Sequence, residues 1–555
     1  MSYNDRVREL LKKSRDIIAK HEKNDKVKKR DQNENLDHFL GENWTALSTQ
    51  KQYELVTEEI EKNWHFPTLT VNNLLKHKSR LEQELGHPEL SALTLLQSQA
   101  LTFRHQSIAQ YSSRLDKDES DEAAKENLNI LSFQSSLSNH QHLRQMIQEL
   151  PPDWRIVQIS VDDEFSDSRF KKTPAGQAID ANLKLKIICV ECGVPNSQDY
   201  ITCHEIEALP TEDKMPSILK ELQSILAKHT GVYKKDDSEK KDTKALKNEV
   251  EIGLASLLDT IENRWLNFHK VLLLGKSDSE EREKMIENCV SELVDKYFSK
   301  QADFVVSGKK KLLYKILDGY DTLTEDQYQY FTRFLFKGQR KPPQGFLPDA
   351  RSKIKALKLL PVEKRKPTVL ILDREIQGVP WEALKFLDKH PLSRVPSIHT
   401  LALLHQTHFS AQDDSVPKAG KVREDKIFYV LNPDKNLAKT EERLTETFKS
   451  KLGPGIISEQ PTLDQMQKVL KEMDAYMYCG HGSNLKNMRL QDIEKMYIRS
   501  VPMLFGCNSG KLERMGRFFD PVGTVNYYLI ATAPCFLGNI LFQCILKISI
   551  YWISF

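Results

Sequence analysis

The spacing of hydrophobic positions divides the 555-residue chain into three regions. In residues 1–127, apolar side chains recur at helical spacing between polar stretches, which predicts an α-helical region. Residues 128–350 combine helical segments with short apolar runs, which indicates an α+β domain. Residues 366–555 alternate short apolar runs with amphipathic segments, a pattern typical of a parallel sheet with crossover helices. We therefore expect a helical region, an α+β domain and a C-terminal α/β domain, in that order.

The same pattern predicts individual elements within these regions. Short apolar runs predict strands at 156–161, 183–190, 368–372, 397–404, 427–431, 475–479, 502–505 and 528–537. Helical spacing predicts helices at 128–150, 213–229, 249–273, 441–451 and 462–473. Residues 230–247 are dense in Lys and Asp and predict a disordered insert, whereas the proline-containing stretches 337–351 and 412–425 predict connectors.

Two of the predicted strands end at a glycine that precedes a residue with acid-base or nucleophilic chemistry. The first strand leads through Gly480 to His481, and the second leads through Gly506 to Cys507. In open α/β sheets the ligand crevice lies at the carboxyl ends of the strands, where both residues are expected. Taken singly, each has a structural interpretation: Gly-His-Gly is a common turn, and a cysteine after an apolar run is most often a small core residue. Their joint placement favours a Cys-His pair.

The chemistry explains why these residue types belong together. A free thiol has a pKa of about 8.5 and is mostly protonated at neutral pH, so a neighbouring imidazole is needed to generate the thiolate. We predict Cys507 as the nucleophile and His481 as the general acid and base. The backbone N–H groups of Gly482 and of Cys507 itself are the predicted oxyanion hole. The residues that bind the substrate are not assigned by the sequence.

Two segments surround the predicted pair: residues 478–483 read Tyr-Cys-Gly-His-Gly-Ser, and residues 504–510 read Leu-Phe-Gly-Cys-Asn-Ser-Gly. They resemble the two catalytic blocks of the separase family of caspase-like cysteine proteases. Further similar segments follow in the family order. They lie at 150–158, 378–384, 391–397, 429–433, 519–524, 527–529 and 534–539. The resemblance covers roughly residues 150–540.

The resemblance carries several implications. It implies a caspase-like protease domain at 366–555, preceded by an α+β substrate-binding domain at 128–350. It also implies cleavage of the kleisin subunit of cohesin at anaphase, and a securin-like inhibitory chaperone as partner. Separases act without a cofactor or metal, and they occur in the cytoplasm and nucleus with spindle or centrosome association. We expect the same of this chain.

The chain departs from the family after residue 539. The family continues there into an acid-rich segment that receives the arginine side chain of the cleaved bond, whereas here no Asp or Glu follows Asp520. Burying a guanidinium without a carboxylate partner costs roughly several kcal/mol. The lack of acidic residues here therefore puts cleavage after arginine in question. A catalytically impaired fragment or isoform that binds securin-like partners is therefore an alternative, and a caspase-like hydrolase of another specificity is a third.

Three interpretations of residues 540–555 are open. An alternative or erroneous C-terminal exon is favoured, and it would leave the protease domain truncated. A membrane tail anchor is a second interpretation, but Lys547 near its centre would cost about 2.5–3.5 kcal/mol on insertion, so a membrane partner is not expected. The third is a divergent terminus whose selectivity group comes from elsewhere in the chain.

Composition adds few constraints. The 81 basic and 78 acidic side chains leave a net charge of +3, which gives no argument for direct nucleic-acid binding. Eight unevenly spaced cysteines do not form a disulfide framework and favour a reducing, intracellular compartment. Cys189, Cys192 and Cys203 with His204 have the form of half a zinc site, but their apolar setting favours ordinary strand cysteines, so no metal is expected.

Overall fold

The structure is a computed structural model, and most of the chain beyond residue 45 is described in it. The described residues are 46–64, 69–132, 136–162, 184–194, 200–206, 218, 221–222, 224–225, 240–299, 303–337, 339, 341–360, 364–410, 421–482, 488–513, 519–540 and 550–551. Most of the predicted helix at 213–229, the first ten residues of the predicted insert and most of the predicted connector at 412–425 lie outside these residues.

The first described region is helical, as the sequence predicts. Its helices are α1 (Thr49–Asn63), α2 (Leu69–Glu84), α3 (Pro88–Gln97), α4 (Leu101–Leu115), α5 (Glu122–Leu131) and α6 (Ser136–Glu149). Side-chain caps begin two of them, since Ser48 accepts a hydrogen bond from the Lys51 N–H and Asp121 accepts one from the Ala124 N–H. The guanidinium of Arg104 ties α4 to the end of α5 by donating to the carbonyls of Leu131 and Ser132. The predicted single helix at 128–150 is thus two helices.

A five-stranded mixed sheet follows. Its strands are β1 (Arg155–Asp162), β2 (Lys184–Glu191), β3 (Ile201–Ile206), β4 (Thr368–Leu372) and β5 (Leu392–Arg394), in the order β3-β2-β1-β4-β5. The strands β1, β2 and β3 pair antiparallel, whereas β4 pairs parallel with both β1 and β5. All five residues of β4 are buried, because both faces of the sheet are covered.

The two faces of this first sheet belong to different cores. Ile156 points into the core shared with the N-terminal helices, and its neighbour Val157 points into the core on the opposite face. That opposite face is covered by helices between β3 and β4. They are α7 (Lys240–Thr260), α8 (Glu280–Phe298), α9 (Asp303–Asp318), α10 (Glu325–Leu335) and α11 (Phe346–Leu357), with a π-helical turn at Ile261–Trp265 and a 3-10 segment at Asn267–Leu273.

The C-terminal region contains a second sheet of six strands. They are β6 (Ile427–Leu431), β7 (Gly455–Ile457), β8 (Ala475–Cys479), β9 (Val501–Leu504), β10 (Phe536–Gly538) and β11 (Ile550–Tyr551), in the order β11-β10-β9-β8-β6-β7. All neighbours pair parallel except β11, which pairs antiparallel with β10. The helices of this region are α12 (Ile398–His405), α13 (Ala438–Lys451), α14 (Leu463–Glu472), α15 (Leu490–Ile493) and α16 (Thr524–Ile530).

The core under the N-terminal helices continues into the second sheet. Val430, Tyr478 and Leu504 of that sheet share one buried cluster with Ile156 and with residues of α3 and α4. The N-terminal helical region therefore packs against both sheets. This shared core fixes the position of the strands that carry His481 and Cys507.

Two predicted strands are helical instead. Residues 397–404 form α12, which begins at Ser397, whose hydroxyl accepts a hydrogen bond from the Thr400 N–H. Every residue from Ile398 to Leu404 is buried, so the helix lacks the polar face that would have revealed its period. Residues 528–530 belong to α16, which is also buried on nearly all sides, and only the end of the predicted strand 528–537 is extended, in β10.

Other predictions need correction at their limits. Residues 240–247 of the predicted insert begin α7, and residues 346–351 of the predicted connector begin α11. The strand at 368–372 is confirmed, but it pairs with β1 in the first sheet and not with the strands of the second. The domain limits stay predictions, although this pairing favours a protease domain that starts after β5. No helix within the described ranges is both long and apolar enough to cross a membrane.

Candidate active site

Strands β8 and β9 end at the same edge of the second sheet, so the loops that follow them begin side by side. The strands pair parallel, with Tyr478 opposite Leu504. The Phe505 N–H donates a hydrogen bond of 2.9 Å to the Tyr478 carbonyl, which extends the pairing to the last residue before the turn. We call residues 480–482 the histidine loop and residues 505–510 the cysteine loop. Both loops therefore leave the sheet at the same level.

The histidine loop is shaped by its glycines and by a tyrosine of β8. Gly482 has φ +67°, a left-handed conformation that L side chains rarely adopt. The Tyr478 hydroxyl donates to the His481 carbonyl at 2.8 Å. A Cβ on Gly480 would lie 2.4 Å from that same hydroxyl oxygen, so only glycine leaves room for the tyrosine. Tyr478 thus holds the backbone of His481 in place from below.

The cysteine loop is held by hydrogen bonds on its side away from the histidine loop. The Ser509 hydroxyl donates to the Leu504 carbonyl at 2.6 Å and accepts from the Asn539 N–H at 3.0 Å. The Asn539 side-chain amide donates to the Gly506 carbonyl at 3.3 Å. Asn508 has φ +57°, which completes the turn after Cys507. The end of β10 therefore fixes the nucleophile's loop.

The two loops are in direct backbone contact. A Cβ placed on Gly506 would lie only 1.7 Å from the carbonyl oxygen of Gly482. No side chain fits between them, so the residue before the predicted nucleophile must be glycine for the loops to approach this closely. The structure thus brings the predicted Cys507 and His481 segments together at the carboxyl edge of the sheet.

The predicted site residues are accessible to solvent. His481 is exposed and Cys507 is half-buried. Cys479, the last residue of β8, is also half-buried, and burial raises the pKa of its thiol to about 12. Within the described ranges, neither the Gly482 N–H nor the Cys507 N–H donates to another protein group. The part of these two N–H groups in an oxyanion hole stays a prediction.

Polar residues line the same edge beyond β6. Asn432 follows β6 with φ +52°, and its side-chain oxygen accepts from the backbone N–H groups of Asn436 and Leu437. Hydrogen bonds from the Ser458 hydroxyl at 2.7 Å and from the Asn432 amide at 2.5 Å lower the pKa of Glu441. This network gives the turn after β6 a fixed shape on the histidine side of the crevice.

The cysteines of the considered zinc half-site lie in or beside the first sheet. Cys203 of β3 pairs with Ile188 of β2, next to Cys189. Burial raises the pKa of both Cys189 and Cys192 to about 12, which keeps these thiols protonated. The part of the chain that the structure describes holds no cluster of three or more His, Cys, Asp or Glu side chains arranged for a metal ion.

A protein-family model decides the relationship of the chain. The model described as "Separin, protease domain" matches residues 195–541, more than half of the chain. The chain belongs to the separin family. The match ends two residues after Asn539, the position beyond which the sequence departs from the separin pattern.

Individual separins match over shorter stretches. The chain is 36% identical over 230 residues to the separin of Mus musculus, covering 41% of this chain and 11% of that relative. It is 33% identical over 178 residues to the separin of Schizosaccharomyces pombe, covering 32% of this chain and 10% of that relative. The matched regions thus span about a tenth of these curated relatives.

Solved structures extend the likeness across most of the chain. Two crystal structures of the Saccharomyces cerevisiae separase–securin complex match with TM-scores of 0.61 and 0.62, at 18% and 16% identity. They cover 89% and 90% of this chain and 34% of the matched chains. At this identity the match shows the fold alone, and it confirms the predicted fold class: a caspase-like α/β domain behind α+β and helical regions.

Three residues around the separin-like loops escaped the sequence interpretation. Tyr478, Ser509 and Asn539 were recognised only as parts of matching segments, without a role. Tyr478 donates to the backbone of the histidine loop and Asn539 to that of the cysteine loop, whereas Ser509, within the cysteine loop, donates to the last carbonyl of β9. The available signal was that Asn539 ends the last matching segment. Its contact with Gly506 could not be read from that segment, because the two residues are 33 positions apart.

Proposed function

We propose that this chain is a separase-like cysteine endopeptidase in which Cys507 is the nucleophile and His481 the general acid and base. The observation that carries the proposal is the backbone contact between Gly506 and Gly482, which joins the two loops at one sheet edge. Membership of the separin family supports the reaction class.

The proposed mechanism gives each of these groups one role. His481 accepts the proton of the Cys507 thiol, and the thiolate attacks the carbonyl carbon of the scissile peptide bond. The electron pair moves to the carbonyl oxygen, which receives hydrogen bonds from the N–H groups of Gly482 and Cys507. Collapse of this intermediate breaks the C–N bond, and His481 gives its proton to the leaving amine.

A thioester on Cys507 remains after the first product leaves. His481 then takes a proton from water, and the resulting hydroxide attacks the thioester carbon. The C–S bond breaks, the carboxylic acid product is released, and the proton returns to the Cys507 sulfur. The two half-reactions use the same pair of side chains, so one geometry serves both.

The proposed substrate is the kleisin subunit of cohesin, and the proposed partner is a securin-like inhibitory chaperone. Both are inferred from the family, and the likeness to a separase–securin complex supports the second. We place the protein in the cytoplasm and nucleus, with spindle or centrosome association at anaphase. A fluorescently tagged chain followed through mitosis tests this placement, and exclusion from both the nucleus and the spindle would contradict it.

Cleavage of a purified kleisin polypeptide by the 555-residue chain tests the activity. Replacing Cys507 by Ser is expected to lower the rate by at least about 10³-fold, because the nucleophile is lost. Cys479→Ala is the matched control, since Cys479 ends the neighbouring strand and is half-buried like Cys507. An acyloxymethyl ketone after an arginyl peptide is expected to label Cys507. A folded chain that neither cleaves nor takes the label would refute the proposal.

A second candidate function is binding without cleavage. The observation that favours it is that residues 521–555 contain no Asp or Glu, so this stretch offers no carboxylate to a basic substrate side chain. A chain that retains immobilised securin but leaves kleisin intact would support this candidate over the first. A peptide-library screen separates both from a protease of different specificity.

A further inference from the structure

Helix α4 of the N-terminal region lies across both chain segments that lead away from the proposed dyad. We call residues 488–500, which lead into β9, the linker segment. Residues 519–532, which follow the cysteine loop, are the return segment. The Ile498 N–H donates to the Ala531 carbonyl at 2.8 Å, so the two segments lie side by side. Helix α4 contacts both of them.

One end of α4 holds the return segment through Thr102. The Thr102 N–H and hydroxyl both donate to the Asp520 carboxylate, at 2.8 and 2.5 Å. The same hydroxyl accepts a 2.8 Å hydrogen bond from the Asp520 N–H. Backbone hydrogen bonds between Glu513 and Val522 then connect the Thr102–Asp520 contact to the residues that follow the cysteine loop. Thr102 is thus coupled to the cysteine loop.

The other end of α4 holds the linker segment through Arg114. Its Nη2 donates to the carbonyls of Glu494 and Met496, at 2.8 and 2.7 Å. The guanidinium also stacks over the Tyr497 ring, 4.1 Å from the ring centre. A planar guanidinium can meet both demands at once, whereas a lysine ammonium cannot stack in this way. Arg114 therefore fixes residues 494–497 of the linker segment.

The contact is continuous between these two ends. The Gln106 amide donates to the Glu494 carboxylate at 3.1 Å, and the Tyr111 hydroxyl donates to the Ile530 carbonyl at 2.6 Å. Tyr111 is fully buried and burial raises its pKa to about 12, so it remains a donor at physiological pH. The separin protease-domain match begins at residue 195, so the whole of α4 lies outside it.

We propose that Arg114 and Thr102 of helix α4 are positioning residues that set the separation of the histidine loop and the cysteine loop. The inference rests on the proposed Cys507–His481 pair. The N-terminal helical region thereby takes a direct part in the geometry of the dyad. Its helix α4 binds both the linker segment and the return segment, which follow His481 and Cys507 in the sequence.

The test measures how fast iodoacetamide alkylates Cys507 in the full 555-residue chain between pH 5 and 9, with each cysteine resolved by mass spectrometry. A thiol paired with an imidazole reacts well below pH 8.5, the approximate pKa of a free thiol. We expect Arg114→Lys to move the pH midpoint of alkylation upward and to slow the reaction at pH 6 about tenfold, since small misplacements in a reacting pair are costly.

Arg104→Lys is the matched control. Arg104 lies on the same helix, is also buried, and donates to two backbone carbonyls, those of Leu131 and Ser132 in the helical region. We expect it to lower the melting temperature about as much as Arg114→Lys while leaving the pH profile unchanged. Equal shifts of the profile in both variants would overturn the positioning role, as would no shift in either.

Thr102 supplies an independent arm of the same test. Thr102→Val removes the hydrogen bonds of the hydroxyl to Asp520 at nearly constant volume, and we expect an upward shift of the profile; Thr102→Ser restores the hydroxyl and is expected to restore the profile. Failure of serine to rescue would count against positioning by this bond. An ordinary thiol profile in the wild-type chain would overturn the dyad itself, and the positioning role with it.

Discussion

The two sheets differ in the residues that follow the carboxyl ends of their parallel strands: they are buried and paired in the first sheet and accessible in the second. In the first sheet, β4 leads into Asp373, which is fully buried and forms a 2.6 Å ion pair with Lys76 of α2. The strand β5 ends in Arg394, which is buried against Glu382. In the second sheet, β8 and β9 lead into loops that leave His481 exposed and Cys507 half-buried.

The difference shows what a strand end needs before it becomes a site. A charge that is taken out of water has to be paired, and helix α2 supplies that pair by covering the edge of the first sheet. A nucleophile has to stay within reach of a substrate, and glycines at 480, 482 and 506 keep the second edge open and its loops close. Polar residues at strand ends alone therefore do not mark chemistry.

Removing the charge of Lys76 is the most direct way to disrupt the covered edge of the first sheet. We expect Lys76→Met to destabilise the fold by about 3–5 kcal/mol, because Asp373 would be left buried without its cation. Urea unfolding monitored by circular dichroism measures the loss. The exposed pair of Lys51 and Glu54 provides the control, and Lys51→Met should change stability by no more than about 0.5 kcal/mol. Equal losses in the two variants would show that the covered edge is not special.

The cover also responds to pH through Glu82, another buried residue of α2. Burial raises the pKa of this carboxyl to about 7, from 4.5 in an unperturbed glutamate. Between these values the folded chain holds a proton that the unfolded chain has lost, so stability falls as pH rises from about 4.5 through 7. The loss amounts to at most about 3–4 kcal/mol, because the two pKa values differ by about 2.5 and each pKa unit is worth about 1.36 kcal/mol.

Glu82→Gln removes this titration. Unfolding free energies measured from pH 5 to 8 are expected to show a gain for the variant over the wild type that grows with pH. Glu84→Gln, on the exposed face of the same helix, is the control and should keep the wild-type slope. A constant difference between Glu82→Gln and wild type across this range would contradict the prediction.

The open edge is tested by adding one methyl group. Gly506→Ala places a Cβ against the Gly482 carbonyl and must push the two loops apart. We expect Cys507 alkylation at pH 6 to slow by about tenfold or more, as the thiol and imidazole separate. Gly308→Ala in the exposed part of α9 meets no neighbouring atom and is the control, with a gain of up to about 1 kcal/mol in helix stability. An unchanged alkylation rate in Gly506→Ala would argue against the close pair.

Sequence reasoning reached the local features and missed the long-range ones. The strands at 427–431 and 475–479 are confirmed to the residue, because short apolar runs bounded by glycine or asparagine define them. The helix α12 was predicted as a strand, since a helix buried on every side loses its amphipathic period. The roles of Cys507, His481 and Gly482 remain predictions, supported by the approach of their loops.

Contacts between distant parts of the chain had no local signal. Thr102 and Asp520 are 418 residues apart, and nothing in either neighbourhood indicates the other. The sheet membership of β4 is a similar case, because its apolar run suits either sheet and only its pairing with β1 decides the matter. A single sequence specifies such pairings through the whole fold rather than through any motif.

The bond between Tyr111 and Ile530 spans 419 residues, which has a consequence for synthesis on the ribosome. At about 5–20 residues per second, helix α4 is made roughly 20–80 s before its partner segment. During that interval, the apolar side chains of α3 that the finished protein buries have no completed core to enter. We therefore expect a chaperone to bind the exposed apolar surface of the nascent helical region until the last strands emerge.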